Sequence, residues 1–124
     1  MDIVITLPSH LWNDIVSGKK KIELRNAFPK KYTHSIDKCY VCAKGENQIV
    51  GYFMISSFTK IPNTEMQRER VSSVACINPN WVESYYRKKK EMKAWVIGKV
   101  HRFKEPIVLP YKSIKRSPQS FTYL

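Results

Sequence analysis

Apolar and polar positions change period several times along the chain, and each change predicts an element. Residues 2–7 alternate weakly and are rich in Ile and Val, which predicts a short strand over Ile3 to Thr6. From Pro8 to Ser17 the period becomes helical. Leu11 and Ile15, and Trp12 and Val16, are each four apart and predict one buried stripe. Pro8 and Ser9 suit the first turn, because proline needs no N–H there and the serine hydroxyl can accept one. Gly18 suits the position just past the end, where a left-handed backbone carries no Cβ penalty. Lys20 to Arg25 then reads as a strand, with Ile22 and Leu24 toward the core and Glu23 and Arg25 toward solvent or a cleft. Lys20 is in phase with Ile22, but at the strand's first position its long stem can turn outward.

The stretch Asn26 to Ser35, with Pro29, Lys30, Lys31, Tyr32 and His34, reads as a basic loop able to move over a cleft. Ile36 to Ala43 and Ile49 to Phe58 predict a hairpin joined by a turn over Lys44 to Gln48, and Gly51 inside it marks a bulge or corner. A polar helix is predicted between Pro62 and Ser73, capped by Asn63 or Thr64. Another opens at Asn78-Pro79-Asn80, with Trp81, Val82, Tyr85 and Tyr86 as its buried stripe. Its wet side carries Glu83, Arg87 and Glu91, and it ends in the basic run Arg87 to Lys90. Ala94 to Phe103 alternates as a strand, with Trp95, Ile97 and Lys99 on one face and Val96, Gly98 and Val100 on the other. Pro106 to Leu109 continues the sheet, Pro110 breaks it, Tyr111 to Ser117 is a basic loop, and Phe121 and Tyr123 suggest a closing edge strand.

Composition narrows the class. A chain of 124 residues with 43% apolar content forms one domain, residues 1–124, around one core. Lys and Arg outnumber Asp and Glu 22 to 10, and the resulting +12 favours a polyanionic partner. Met1-Asp2-Ile3 has no basic leader region, and no apolar run reaches the ~18 residues a membrane span needs, so a cytoplasmic monomer without a membrane partner is expected. Cys39, Cys42 and Cys76 are an odd number and predict reduced thiols. Cys39 and Cys42 fall within a predicted strand, where residues three apart face opposite sides, and His10, His34 and His101 are scattered. No metal site is expected from them. No phosphate loop, dinucleotide fingerprint, Ser/His/Asp order or two-metal carboxylate set occurs, and no cofactor is expected.

Charge is concentrated at Gly18-Lys19-Lys20-Lys21-Ile22-Glu23-Leu24-Arg25, which reads Gly-x-Lys-x-x-Glu-x-Arg. This stretch resembles the signature of the ASCH family of the PUA-like superfamily. Val96-Ile97-Gly98-Lys99-Val100, followed by Glu105-Pro106-Ile107-Val108-Leu109, is similar to the strand and proline-isoleucine element that closes such domains. Ser117-Pro118-Gln119-Ser120-Phe121 resembles a terminal strand of some relatives. The resemblance implies an α+β fold: a small, bent, PUA-like β-barrel of about five to seven mostly antiparallel strands with two or three short helices. It also implies a cleft above the first helix and strand, associated with RNA or other nucleic acid. Some relatives look like amidohydrolases acting on an acylated cytidine. In those a threonine nucleophile stands where Glu23 stands here, and a carboxylate does not take over a hydroxyl's acyl chemistry.

Two functions are therefore expected at one cleft, beside a third reading, a protein-interaction role as a small regulatory factor, which no residue pattern supports or excludes. In the first, an RNA-binding module, with DNA as the alternative ligand, uses Lys19, Lys20, Lys21, Glu23, Arg25, Lys30, Lys31, Tyr86, Arg87 and Lys88. Basic groups track phosphates, and Tyr85, Tyr86, Trp95 or the Phe28 to Tyr32 loop stacks an unpaired base. In the second, a hydrolase of RNA or a modified nucleoside uses Lys20 as base, Glu23 as water-activating carboxylate and Arg25 as anion stabiliser. Glu23 is expected to orient Lys20 or Arg25. Substitution of Lys20 or Arg25 is expected to weaken binding and leave folding stability nearly unchanged, as for an exposed pair contributing about 0 to 1 kcal/mol.

Overall fold

Among residues 1–30 and 36–124, which the computed structural model describes, six strands and three helices follow one another. They are β1 (Ile3–Leu7), α1 (Ser9–Val16), β2 (Ile22–Arg25), β3 (Lys38–Ala43), β4 (Gln48–Pro62), α2 (Glu65–Ala75), α3 (Pro79–Tyr85), β5 (Glu91–Val108) and β6 (Phe121–Tyr123). Lys31, Tyr32 and His34 of the anticipated loop lie outside the described residues.

The strands form one sheet in the order β2-β5-β4-β3-β1-β6. Only β1 and β3 run parallel among the described pairs. Parallel neighbours require the chain to leave the sheet and return, and α1 and β2 lie in that crossover. β2 lands at the far margin, against β5, with Glu23 opposite Trp95 and Arg25 opposite Lys93.

The sheet curls because its longest pair is irregular. The β4–β5 register shifts between Ile49 and Gly51, Phe53 and Ile55, and Ile55 and Ser57, and each bulge adds bend and twist. Gly51 is required there: a Cβ would lie 2.3 Å from the His101 carbonyl oxygen and 2.6 Å from the Trp12 ring. The curl brings Phe121 to within 5.7 Å of Trp95 between ring centres, and brings an Arg25 guanidinium nitrogen to 3.5 Å from the Thr6 carbonyl. The result is the α+β half-barrel that the motif implies.

Three apolar clusters stabilise this shape. Ile3, Ile5, Trp12, Ile15, Phe53 and Trp95 fill the hollow of the sheet. Ile22, Leu24, Val71, Val82, Tyr86 and Met92 join α2 and α3 to the β2 margin. Val4, Cys42, Ile49, Leu109 and Ile114 lie on the outer face, under the segment that follows β5. Cys39 belongs to the first cluster and Cys42 to the third, so they face opposite sides as their spacing in a strand predicts.

Several local expectations are corrected. Pro8, not Ser9, occupies the cap of α1 and no side chain caps it, while Val16 is exposed. Thr64 and Asn78 do cap α2 and α3, accepting from the Gln67 and Asn80 backbone N–H groups. α3 stops at Tyr85, so the run from Arg87 follows the helix, and Glu91 opens β5 instead of sharing a face with Glu83. β5 is one long strand through Pro106. That is tolerated because β4 pairing jumps from Arg102 to Ile107, leaving no ladder bond for proline to break. Among the described residues no helix is long and apolar enough to cross a membrane.

Candidate functional site

The geometry of the motif begins at the end of α1. Gly18 takes a left-handed backbone, φ +84°, and its N–H reaches the Ile15 carbonyl at 3.1 Å, so the helix ends there and the chain turns back. The Lys20 N–H then binds the Asp14 carbonyl at 2.9 Å, and the Lys21 N–H binds the Val74 carbonyl at 2.6 Å. These bonds fix Lys20 against the last turn of α2 before β2 begins.

From that position the Lys20 side chain goes inward. It is 1% exposed, its Nζ donating to the Ala75 carbonyl at 2.7 Å and lying 3.2 Å from Glu23 Oε1. Ala75 ends α2, so the ammonium satisfies a carbonyl that the helix leaves without a partner. The outward turn anticipated for Lys20 does not occur. The second oxygen of Glu23 receives Arg25, with Nε and a terminal guanidinium nitrogen each 2.8 Å from Oε2. Arg25 also lies over the Trp95 ring, 5.8 Å from its centre. Glu23 thus orients both neighbours, as expected, but as a buried network and not as an exposed surface pair.

Above this network lies a cavity of about 400 Å³. Glu23 and Arg25 provide its polar floor, and Leu11, Ile77, Trp81 and Tyr85 are among its walls. Lys44, in the turn after β3, stands at its edge, and Lys20 is not among its lining residues. Trp81 is 45% exposed and stacks on Tyr85 with ring centres 4.4 Å apart and planes 16° apart. Burial raises the Tyr85 phenol above its ordinary value, with the Asn26 backbone and Arg25 opposing. Beneath the floor, burial holds the Cys39 thiol well above its ordinary value; Glu23 adds to this and Arg25 opposes it.

The remaining anticipated site residues divide into two groups. Lys19, Lys21, Lys30, Arg87 and Lys88 are exposed. Tyr86 is 2% exposed, its hydroxyl 2.8 Å from the Arg25 carbonyl oxygen and 3.3 Å from that of Lys93. It braces β2 and has no face free for a base. Trp95 is fully buried, and Phe28 packs edge-on against Phe58, 5.4 Å between centres. Of the anticipated stacking residues described, only Tyr85 reaches the cavity. Trp81 and Lys44 were missed: Trp81 has the helical phase of a core residue, and the place of Lys44 depends on the parallel β1–β3 pairing, for which the sequence carries no local signal.

No family model and no curated protein matches the chain. Among solved structures it is similar to the ASCH protein of Zymomonas mobilis, at 19% identity and a TM-score of 0.76 over 99% of this chain and 87% of that one. A serine-to-alanine variant of that protein gives 20% identity and a TM-score of 0.80 over 99% and 87% of the two chains. A tyrosine-to-phenylalanine variant gives 20% and 0.77 over 99% and 89%. The fold implied by the Gly18 to Arg25 motif is therefore the fold observed: over nearly its whole length the chain has the architecture of an ASCH domain.

Proposed function

We propose that the chain is an RNA-binding module whose cavity takes one unpaired base. The observation that carries this reading is the exposed Trp81–Tyr85 stack standing over a floor of fixed polar groups. An aromatic wall offers a base a stacking partner, Glu23 can accept from a base N–H, and Arg25 can donate to a base carbonyl or a phosphate. Both floor groups are held in place before the ligand arrives, so little side-chain freedom is lost on binding. Exposed Lys19, Lys21, Lys30, Lys44, Arg87 and Lys88 supply the positive field that attracts the phosphodiester chain.

A hydrolytic role for Lys20 has less support. Its ammonium is held by the Ala75 carbonyl and the Glu23 carboxylate, and it does not line the cavity, so it does not face a substrate placed there. Glu23 is likewise engaged by two cations, one at each carboxylate oxygen.

The test is a salt titration of binding to a single-stranded RNA and to the same sequence as a duplex. The proposal expects tighter binding of the single strand at every salt concentration, with affinity falling as salt rises. Equal binding of both would reduce the interaction to charge attraction and remove the base-in-cavity reading. Mass analysis of the recovered RNA is expected to show intact strands.

A further inference from the structure

On the outer face of the sheet, away from the cavity, three aromatic residues stand in one row across three strands. Tyr40 on β3 is paired with Tyr52 on β4, and Tyr52 with His101 on β5. Phe103, two residues beyond His101, is on the same face and extends the row. Ring centres are 5.6 Å apart for Tyr40 and Tyr52, 5.3 Å for Tyr52 and His101, and 5.6 Å for His101 and Phe103. The alternate residues Cys39, Val41 and Phe53 face the interior, so this row is not part of the main core.

The C-terminal segment covers one end of the row, where Tyr40 and Phe103 pack beside Leu109 and Ile114. The other end is open. His101 is exposed and Tyr52 is half-buried, and besides its ring neighbours Tyr52 carries the Lys38 ammonium, 4.7 Å from its centre. Cations surround the row. Lys38 precedes Tyr40 by two residues on β3 and shares its face, and Lys99 is exposed in the bulged stretch of β5 next to Val100, two residues before His101. Lys112 lies over Tyr111 in the covering segment. Two acidic groups beside Lys38 are engaged: Asp37 pairs with the N-terminal ammonium at 3.0 Å, and Asp2 accepts the Lys38 backbone N–H at 3.1 Å. Glu105, two residues beyond Phe103 on β5, is the exposed carboxylate at the far end of the row.

We propose that this face is a second binding surface, taking unpaired bases of a single-stranded nucleic acid by stacking on Tyr52 and His101. Lys38, Lys99 and Lys112 contact its phosphates. Flat rings interleaved with cations are what such a strand requires, because every base has a stacking face and every linkage a negative charge. The rings read no base edge and no 2′-hydroxyl, so ribose and deoxyribose strands bind here alike. The inference shares with the cavity reading only the class of partner, and it stands if the cavity proves empty of bases.

The experiment uses a uridine dodecamer containing 4-thiouridine, photo-crosslinked to the full chain, with adducts mapped by mass spectrometry. Adducts on the peptides holding Tyr52 or His101 are expected; adducts confined to residues 77–85 would overturn the proposal while leaving the cavity reading intact. In parallel, Tyr52→Leu with His101→Ala is expected to lower dodecamer affinity about tenfold, as for the loss of one stacked base. A Trp81→Ala variant is expected to keep the outer-face adducts. Unchanged dodecamer affinity in a folded double variant would also overturn the proposal, and if that variant fails to fold, the wild-type adduct map decides.

Discussion

Lys20 Nζ lies 3.2 Å from Glu23 Oε1 while the two side chains are 0% and 6% exposed. A pair three residues apart in sequence is thus buried in the molecule, and it joins β2 to the end of α2 through the Ala75 carbonyl. That carbonyl precedes Ile77, and α3 with Trp81 and Tyr85 follows, so the same lysine sets where the cavity wall begins.

Lys20→Met is expected to destabilise the fold by about 3 to 5 kcal/mol, because removing one member of a buried network strands the others. This reverses the near-neutral effect expected of an exposed pair. Urea denaturation measures it, and a loss under about 1 kcal/mol would show that the pair is solvated in solution. In a double-mutant cycle, Lys20→Met and Glu23→Gln should cost less together than the sum of the two alone.

Gly51→Ala is expected to destabilise by about 1 to 3 kcal/mol or more, since the new methyl meets the His101 carbonyl and the Trp12 ring, and backbone cannot step aside. Thermal unfolding of the variant checks it. A substitution that leaves the midpoint unmoved would mean that the bulge in β4 relaxes freely.

How much of this was legible in the sequence follows from the range of the forces involved. Helix periodicity placed Leu11, Trp12 and Ile15 correctly, Thr64 and Asn78 were readable as caps, and Gly51 as a bulge, because each is decided within a few residues. The burial of Lys20 was not readable. It depends on α2, more than fifty residues later, presenting its terminal carbonyl at the right place. Val16 and Trp81 were assigned to the core because a helical stripe says which residues share a face and not how far the neighbouring layer extends. Of the anticipated site, Glu23 and Arg25 converge at a cavity and Tyr85 lines it, whereas Tyr86 and Trp95 serve the core.

Stability is expected to fall as pH rises above about 9. The Cys39 thiol has an ordinary value of 9.0 and is held well above it in the fold, and Tyr85 and Tyr86 are raised by burial from 10.0. A raised group contributes stability that is fully present below its unfolded pKa. Above that point the unfolded chain ionises while the native group stays neutral, and the contribution is progressively lost. Melting temperatures between pH 7 and about 11 test the sign, and Cys39→Ala should delay the onset of the decline. A flat profile would mean that these groups are solvated in the native state.

The claim on which the account turns is that a base, and not merely a phosphate, enters the cavity above Glu23 and Arg25. It is tested most directly by following the Trp81 indole N–H resonance during titration with each of the four ribonucleoside 5′-monophosphates and with ribose 5-phosphate, using Trp81→Phe to assign the signal. The account predicts that at least one nucleotide shifts this resonance saturably and that ribose 5-phosphate leaves it in place. Equal shifts from ribose 5-phosphate and every nucleotide, or no shift from any, would contradict it.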